Sequence, residues 1–188
     1  FFEPYHDTTY PLSGAPDSSA VRYASGVRAI SERKVRGYPS PLINYKWENI
    51  EKALEGLTRF EADPFDGYAI DYVNPATGGS ADARIGTTMQ KLTVGMSTRA
   101  HRHVHSAAYH VLEGTGFTVI NGQKFSWERG DFFVVPSWMW HEHHNTGNTD
   151  AHLFSITDRP VMETLGLERE EAYMENGGHQ AVTSVFHP

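Results

Sequence analysis

Eight of the chain's eleven histidines lie between His101 and His152, and several are spaced by two: His101, His103 and His105 in one stretch, His141 and His143 in another. On a strand, residues i and i+2 project to one face, so His101 and His103 offer two imidazoles to a single ion, with His141 arriving from a neighbouring strand as the third. The chain has no cysteine. Disulfides, thiolate metal sites and cysteine nucleophiles are therefore excluded, and a metal has to be held by histidine, carboxylate or water. His105 shares the face of the ligand pair but lies beyond it, at the mouth of the pocket. His144 has the opposite parity and is expected to point outward. His110 and His152 read as strand residues facing solvent or a partner chain, while His6, His179 and His187 carry no signal.

The elements that position these residues are short strands at close spacing: Thr87 to Val94, Ala107 to Glu113, Phe117 to Ile120, Lys124 to Trp127, Phe132 to Val135 and His152 to Ile156. Turn signals separate them, among them Glu113-Gly-Thr-Gly116, and Asn121-Gly122 calls for a type I′ hairpin. Such a pattern predicts a mainly β barrel or jelly roll. Before it, Trp47, Ile50, Ala53, Leu54 and Leu57 recur at helical spacing, predicting a helix from about Lys46 to Phe60 with Asn44 as cap. Tyr68 to Val73 then reads as a strand leading into a turn at Asn74 to Gly79. The expected organisation is an extended arm over 1–43, a helix packed on the barrel over 44–66, the barrel over 67–160, and a C-terminal helical segment and tail over 161–188. In the tail, Glu168 to Met174 carries helical patterning. The arm is rich in Pro, Gly and Ser, and its aromatics Phe1, Phe2, Tyr5, Tyr10 and Tyr23 favour docking over free disorder.

Two long motifs hold the histidines. Gly95-x5-His101-x-His103-x3-Ala107-x6-Gly114 and Gly130-x5-Pro136-x-Trp138-x2-His141-x3-Asn145 resemble the two signature motifs of the cupin family, which implies a double-stranded β-helix. Ala107 stands where cupins place a glutamate ligand, and Trp138 where they place a glycine. Without the glutamate, the site is three neutral histidines, and a bound ion keeps its full charge and one open face. That arrangement suits an anionic chelating substrate and O2 side by side on Fe(II); a three-histidine zinc site activating water is the competing reading, and Mn or Ni are further alternatives.

A narrower resemblance covers nearly the whole chain. Tyr72 to Gly79, Ala100 to His103, Phe133 to Trp138, Trp140 to His143, and Phe154 to Pro160 followed by Leu165 to Glu170 are similar to gentisate 1,2-dioxygenases and their salicylate and 1-hydroxy-2-naphthoate relatives. Those enzymes are bicupins, and this sequence resembles their C-terminal half. The resemblance implies cleavage of a hydroxylated aromatic carboxylate with insertion of both atoms of O2, as in aromatic catabolism. By the same resemblance Gln90 is a pocket glutamine and His143 a histidine beside the ligands that moves a proton or steadies bound oxygen. Tyr109 stands where the family places the arginine that pairs with the substrate carboxylate, so affinity for a carboxylate falls unless Arg99, Arg102 or a residue of another chain compensates. Tyr109, His105 and Trp138 are expected in the pocket wall. The alternative is a metal-binding, non-catalytic C-terminal cupin half that supports an active N-terminal one.

Composition narrows the partners. Net charge is −7 with signs interspersed, and Glu32 to Arg36 is the longest basic-containing cluster, so nucleic acid has no footprint. No apolar run approaches the roughly 20 residues that span a bilayer, so the protein reads as cytoplasmic and free of membrane. The start at Phe1 points to a processed or trimmed chain or a piece of something longer, and the arm and the family resemblance point to a homo-oligomer or half of a bicupin.

Overall fold

The computed structural model describes residues 40–187. Almost all of the expected arm, including its aromatics and His6, lies outside these residues. Helix α1 (Trp47–Leu57) precedes strands β1 (Tyr68–Asp71), β2 (Gly86–Leu92), β3 (His101–His103), β4 (Ala107–Glu113), β5 (Thr115–Ile120), β6 (Gln123–Glu128), β7 (Phe132–Val135), β8 (His141–Asn145) and β9 (Ala151–Thr157). Helix α2 (Arg159–Thr164), strand β10 (Glu170–Ala172), a 3-10 turn (Asn176–Gly178) and strand β11 (Ser184–Val185) complete the order.

The strands form two sheets, β1-β2-β9-β4-β7 and β10-β3-β8-β5-β6-β11. Pairing is antiparallel except for β11 on β6. Alternation drives this packing: Ala107, Tyr109 and Val111 of β4 are buried, whereas Ala108 and His110 are only partly so. With Leu92, Val135 and Leu153 they fill the space between the sheets. On the far side of the first sheet, Ile50 and Leu54 of α1 pack on Met89, Ile70 and Phe154. At the other end of that interface Lys91 is buried against Glu55 of α1 and Asp150. Burial opposes its charge, but the bonds to Glu55 and Asp150 prevail and hold its pKa above the usual lysine value.

Asn121 and Gly122 both take positive φ (46° and 80°) between β5 and β6, as the type I′ turn requires. Four expectations need correction. The N-cap of α1 is Lys46, not Asn44, and makes no side-chain cap bond. Thr115 and Gly116 belong to β5 rather than to a turn, and a Cβ on Gly116 would lie 2.1 Å from the His144 carbonyl oxygen, so only glycine fits the close approach of β8. Glu170–Ala172 forms a strand rather than a helix, because it pairs with His101–His103 and Glu171 receives Arg102 Nε at 2.8 Å. His152 is buried, its ring 5.5 Å from Trp47 of α1. Among the described residues, no helix is long and apolar enough to cross a membrane.

Candidate metal centre

Strands β3 and β8 bring the three predicted ligands together: His101 faces His141 in register, and one ring nitrogen from each of His101, His103 and His141 lies within 4.8 Å of the others. All three are buried. Main-chain carbonyls fix two of the rings: His103 Nδ1 donates to His105 O at 2.7 Å and His141 Nδ1 to Met139 O at 3.0 Å. Their Nε2 lone pairs are thereby left for an ion. His141 Nε2 and His101 Nδ1 are buried with no hydrogen-bond partner, a cost that a cation would remove. The donor set fits a divalent transition metal.

Electrostatics keep these imidazoles neutral. Burial first, then the neighbouring His103, pushes His101 down to about 4. Burial likewise lowers His103 and takes His141 well below its ordinary value, with His101 and His143 adding to it. Ala107, in the position of the usual glutamate, is 4% exposed and lines the cavity without a polar atom.

Next to the histidines lies a cavity of about 420 Å³, lined by His101, His103, His105, Gln90 and Tyr109 among others. Gln90 Nε2 donates to Asp66 O at 2.8 Å, and its Oε1 is buried without a partner. His105 stacks on His103 at 3.5 Å between ring centres and meets Glu168 Oε1 at 2.7 Å. Burial, and His103 after it, pushes His105 down to about 3, so this contact is a neutral imidazole N–H donating to the carboxylate. Tyr109 is buried against Phe133 and His143, with its hydroxyl pKa raised by burial and by Asp66.

His143 lies beside the ligands, its ring 5.8 Å from that of His141, whereas Trp138, expected in the pocket wall, stands elsewhere. His143 is fully buried behind Tyr109; its Nδ1 shares a hydrogen bond with Thr118 Oγ1 at 2.8 Å, while Nε2 has no partner. Trp138 lies outside the cavity lining. It is 39% exposed, and Arg102 stacks between it and Trp140 at 4.4 Å from each ring. Its φ of 61° is the left-handed conformation for which glycine is the usual occupant.

Among the described residues, the cation that faces the cavity is neither Arg99 nor Arg102 but Arg159, at the start of α2. It shares the wall with five carboxylates, Asp66, Asp71, Glu163, Glu168 and Glu170. Asp66 is the notable addition: burial, then Asp63 and Glu170, push its carboxyl up to about 7. In the sequence it sits in an ordinary turn, Asp63-Pro-Phe-Asp-Gly67, with no spacing signal to the motifs.

The family described as Cupin domain matches residues 88–157. This chain carries a cupin domain. Within the cupins, it is 46% identical to a 5-aminosalicylate 1,2-dioxygenase of Comamonas sp over 150 residues, covering 79% of this chain and 40% of that protein. It is 34% identical to gentisate 1,2 dioxygenase 1 of Aquipseudomonas alcaligenes, over 90% of this chain and 48% of that one. The salicylate 1,2-dioxygenase structure from Pseudaminobacter salicylatoxidans superposes with a TM-score of 0.80 at 29% identity, over 89% of this chain and 49% of that chain. The chain thus spans less than half the length of these relatives.

Proposed function

We propose that this cupin is an Fe(II)-dependent ring-cleaving dioxygenase for a hydroxylated aromatic carboxylate, with His101, His103 and His141 as its metal ligands. The observation that carries the reading is the three-histidine cluster, neutral and partly unpartnered, two of whose members, His101 and His103, line a cavity sized for one aromatic ring with substituents. When bound, ferrous iron supplies the one-electron chemistry that allows O2 to react with a closed-shell ring. The reaction is balanced without a separate reductant: the bond between the carboxylate-bearing and hydroxylated ring carbons breaks, both oxygen atoms enter the product, and the ring provides the electrons.

The chain's own groups divide the work of recognition. Arg159 is the cation for the substrate carboxylate, in place of the arginine that Tyr109 replaces. The free Gln90 Oε1 accepts a ring hydroxyl. Asp66 and the other wall carboxylates are acceptors for a hydrogen-bond-donating substituent, so they favour a ring with an added amino group, of the 5-aminosalicylate type, over unsubstituted salicylate. The relative named for that substrate supports this choice.

Oxygen uptake by the iron-loaded chain with 5-aminosalicylate, gentisate, salicylate and 1-hydroxy-2-naphthoate tests the proposal. Uptake is expected with all or some of them and faster with the aminated ring than with salicylate. Because Asp66 is protonated below about 7, preference for the aminated ring should grow as pH rises through that value, and Asp66→Asn should flatten the trend. Bound iron with no oxygen uptake on any of the four would sink the enzyme reading in favour of a metal-holding half that supports another cupin.

A further inference from the structure

Strand β8 has a second face. Glu142 and His144 point away from the cavity, and the C-terminal tail lays His179 over them. One ligand atom from each of the three lies within 4.8 Å of the others. Glu142 is only 1% exposed. Its oxygens meet His179 Nδ1 at 3.0 Å, His144 Nε2 at 3.5 Å and the Gln180 N–H at 3.1 Å.

The histidine on the strand is held ready rather than satisfied. Ser97 Oγ occupies His144 Nδ1 at 2.8 Å, and Phe117 stacks on the ring at 4.3 Å, so the ring cannot turn. Its Nε2 lies next to Glu142 yet is buried and makes no hydrogen bond. Donor atoms on a tetrahedral zinc ion, with bonds of about 2.0–2.1 Å, sit roughly 3.3 Å apart. Glu142 meets the two imidazoles through different oxygens, Oε2 3.0 Å from His179 Nδ1 and Oε1 3.5 Å from His144 Nε2, separations near that spacing when both carboxylate oxygens face the ion. The His179 side chain is 40% exposed, which gives an ion an entry path and a position for solvent.

The geometry points to a second metal site, separate from the first, in which Glu142, His144 and His179 hold zinc and so pin the C-terminal tail across β8. The donor set, two imidazoles and one carboxylate, is a zinc set with room for a fourth, solvent ligand. The tail is already laid along this path: Ala100 N donates to Gly178 O, Gly122 N to Gln180 Oε1, and Gln180 Nε2 to Val119 O. A zinc ion at its centre would close the row. This inference stands independently of the dioxygenase proposal, since it uses none of the same side chains.

Zinc equivalents retained by the stripped and reloaded full chain after dialysis provide the test, with affinity read by competition with a chromogenic chelator. Wild type is expected to retain two equivalents per chain, and His103→Ala to keep the one on the outer face. His179→Ala should weaken that second ion by more than about 100-fold, beyond the loss that removing a mere supporter of a ligand causes, and Ser97→Ala by about tenfold. Glu142→Gln preserves volume and serves as the control should truncation of the tail histidine disturb folding. On the unaltered protein, zinc should slow amide exchange over residues 178–183. A zinc count and affinity unchanged by both His179→Ala and Glu142→Gln, or amide exchange there that ignores zinc, overturns the site and leaves a hydrogen-bonded staple.

Discussion

On the cavity face of β8, His141 and His143 are buried among other imidazoles, whereas on the opposite face Glu142 and His144 meet His179 around a buried carboxylate. One strand thus contributes to two donor sets differing by a single charge, His141 to one and Glu142 with His144 to the other. The neutral set leaves an ion its full charge, which has to be balanced by an anionic ligand, and so belongs with substrate binding. The carboxylate set balances part of that charge itself, and belongs with holding structure together. Alternation along the strand keeps the two apart, although Glu142 lies between His141 and His143 in sequence.

The sharpest way to break this comparison is to delete one ligand on the cavity face. His141→Ala is expected to abolish oxygen uptake and metal binding at the cavity while leaving zinc on the Glu142 face, as elemental analysis of the two variants His141→Ala and His179→Ala would show. If both ions were lost together, the faces would not be independent.

Acid should strike the cavity face next. Burial lowers His101 from 6.5 to about 4 and, with His101 and His144, takes His143 to about 3. The unfolded chain therefore takes up these protons first, so the stability they contribute is complete above pH 6.5 and is lost as pH falls toward 4. The raised pKa of Asp66, a shift comparable in size to that of either imidazole, works in the opposite direction and offsets part of the loss, so in urea titrations the metal-free Asp66→Asn variant should show the midpoint falling most clearly through this window. A midpoint in that variant flat from pH 7 to 4 would mean that the imidazoles are not desolvated.

Smaller effects separate the supporters of the two faces. Thr118 Oγ1 serves both His143 and the Trp127 indole, at 2.8 and 3.0 Å, within the core. Thr118→Val should cost about 1–3 kcal/mol by stranding both. Ser97→Ala, beside the partly exposed His144, should cost less than about 1 kcal/mol in the absence of zinc. Chemical denaturation of both variants would check the order. Smallest of all is Trp138→Gly. It removes a left-handed strain of about 1 kcal/mol and also the Arg102 stacking, worth about 0.5–1 kcal/mol at an exposed site, so its thermal midpoint should barely move.

Much of the cavity face was legible because its signals are local. Spacing by two in His101 and His103 requires only a strand, and Asn121-Gly122 requires only a hairpin. The second motif adds His141 at a fixed distance from Pro136. By contrast, Glu170–Ala172 looked helical because Glu168 to Met174 carries that periodicity, and only the unpaired edge of β3 turned it into a strand. Asp66 was invisible for a similar reason: its raised pKa comes first from burial, which leaves no local signal, and only then from Asp63 in the same turn and the distant Glu170.

Sequence by itself determined the barrel, the three cavity imidazoles and the lack of a carboxylate among them, since each depends on residue type and short-range period. Tertiary structure alone decided that Arg159 rather than Arg99 or Arg102 faces the cavity, that Trp138 stacks on Arg102 outside it, and that His179 reaches Glu142. Those outcomes depend on where α2 and the tail return to the sheets, and a contact across 37 residues leaves no period in the chain.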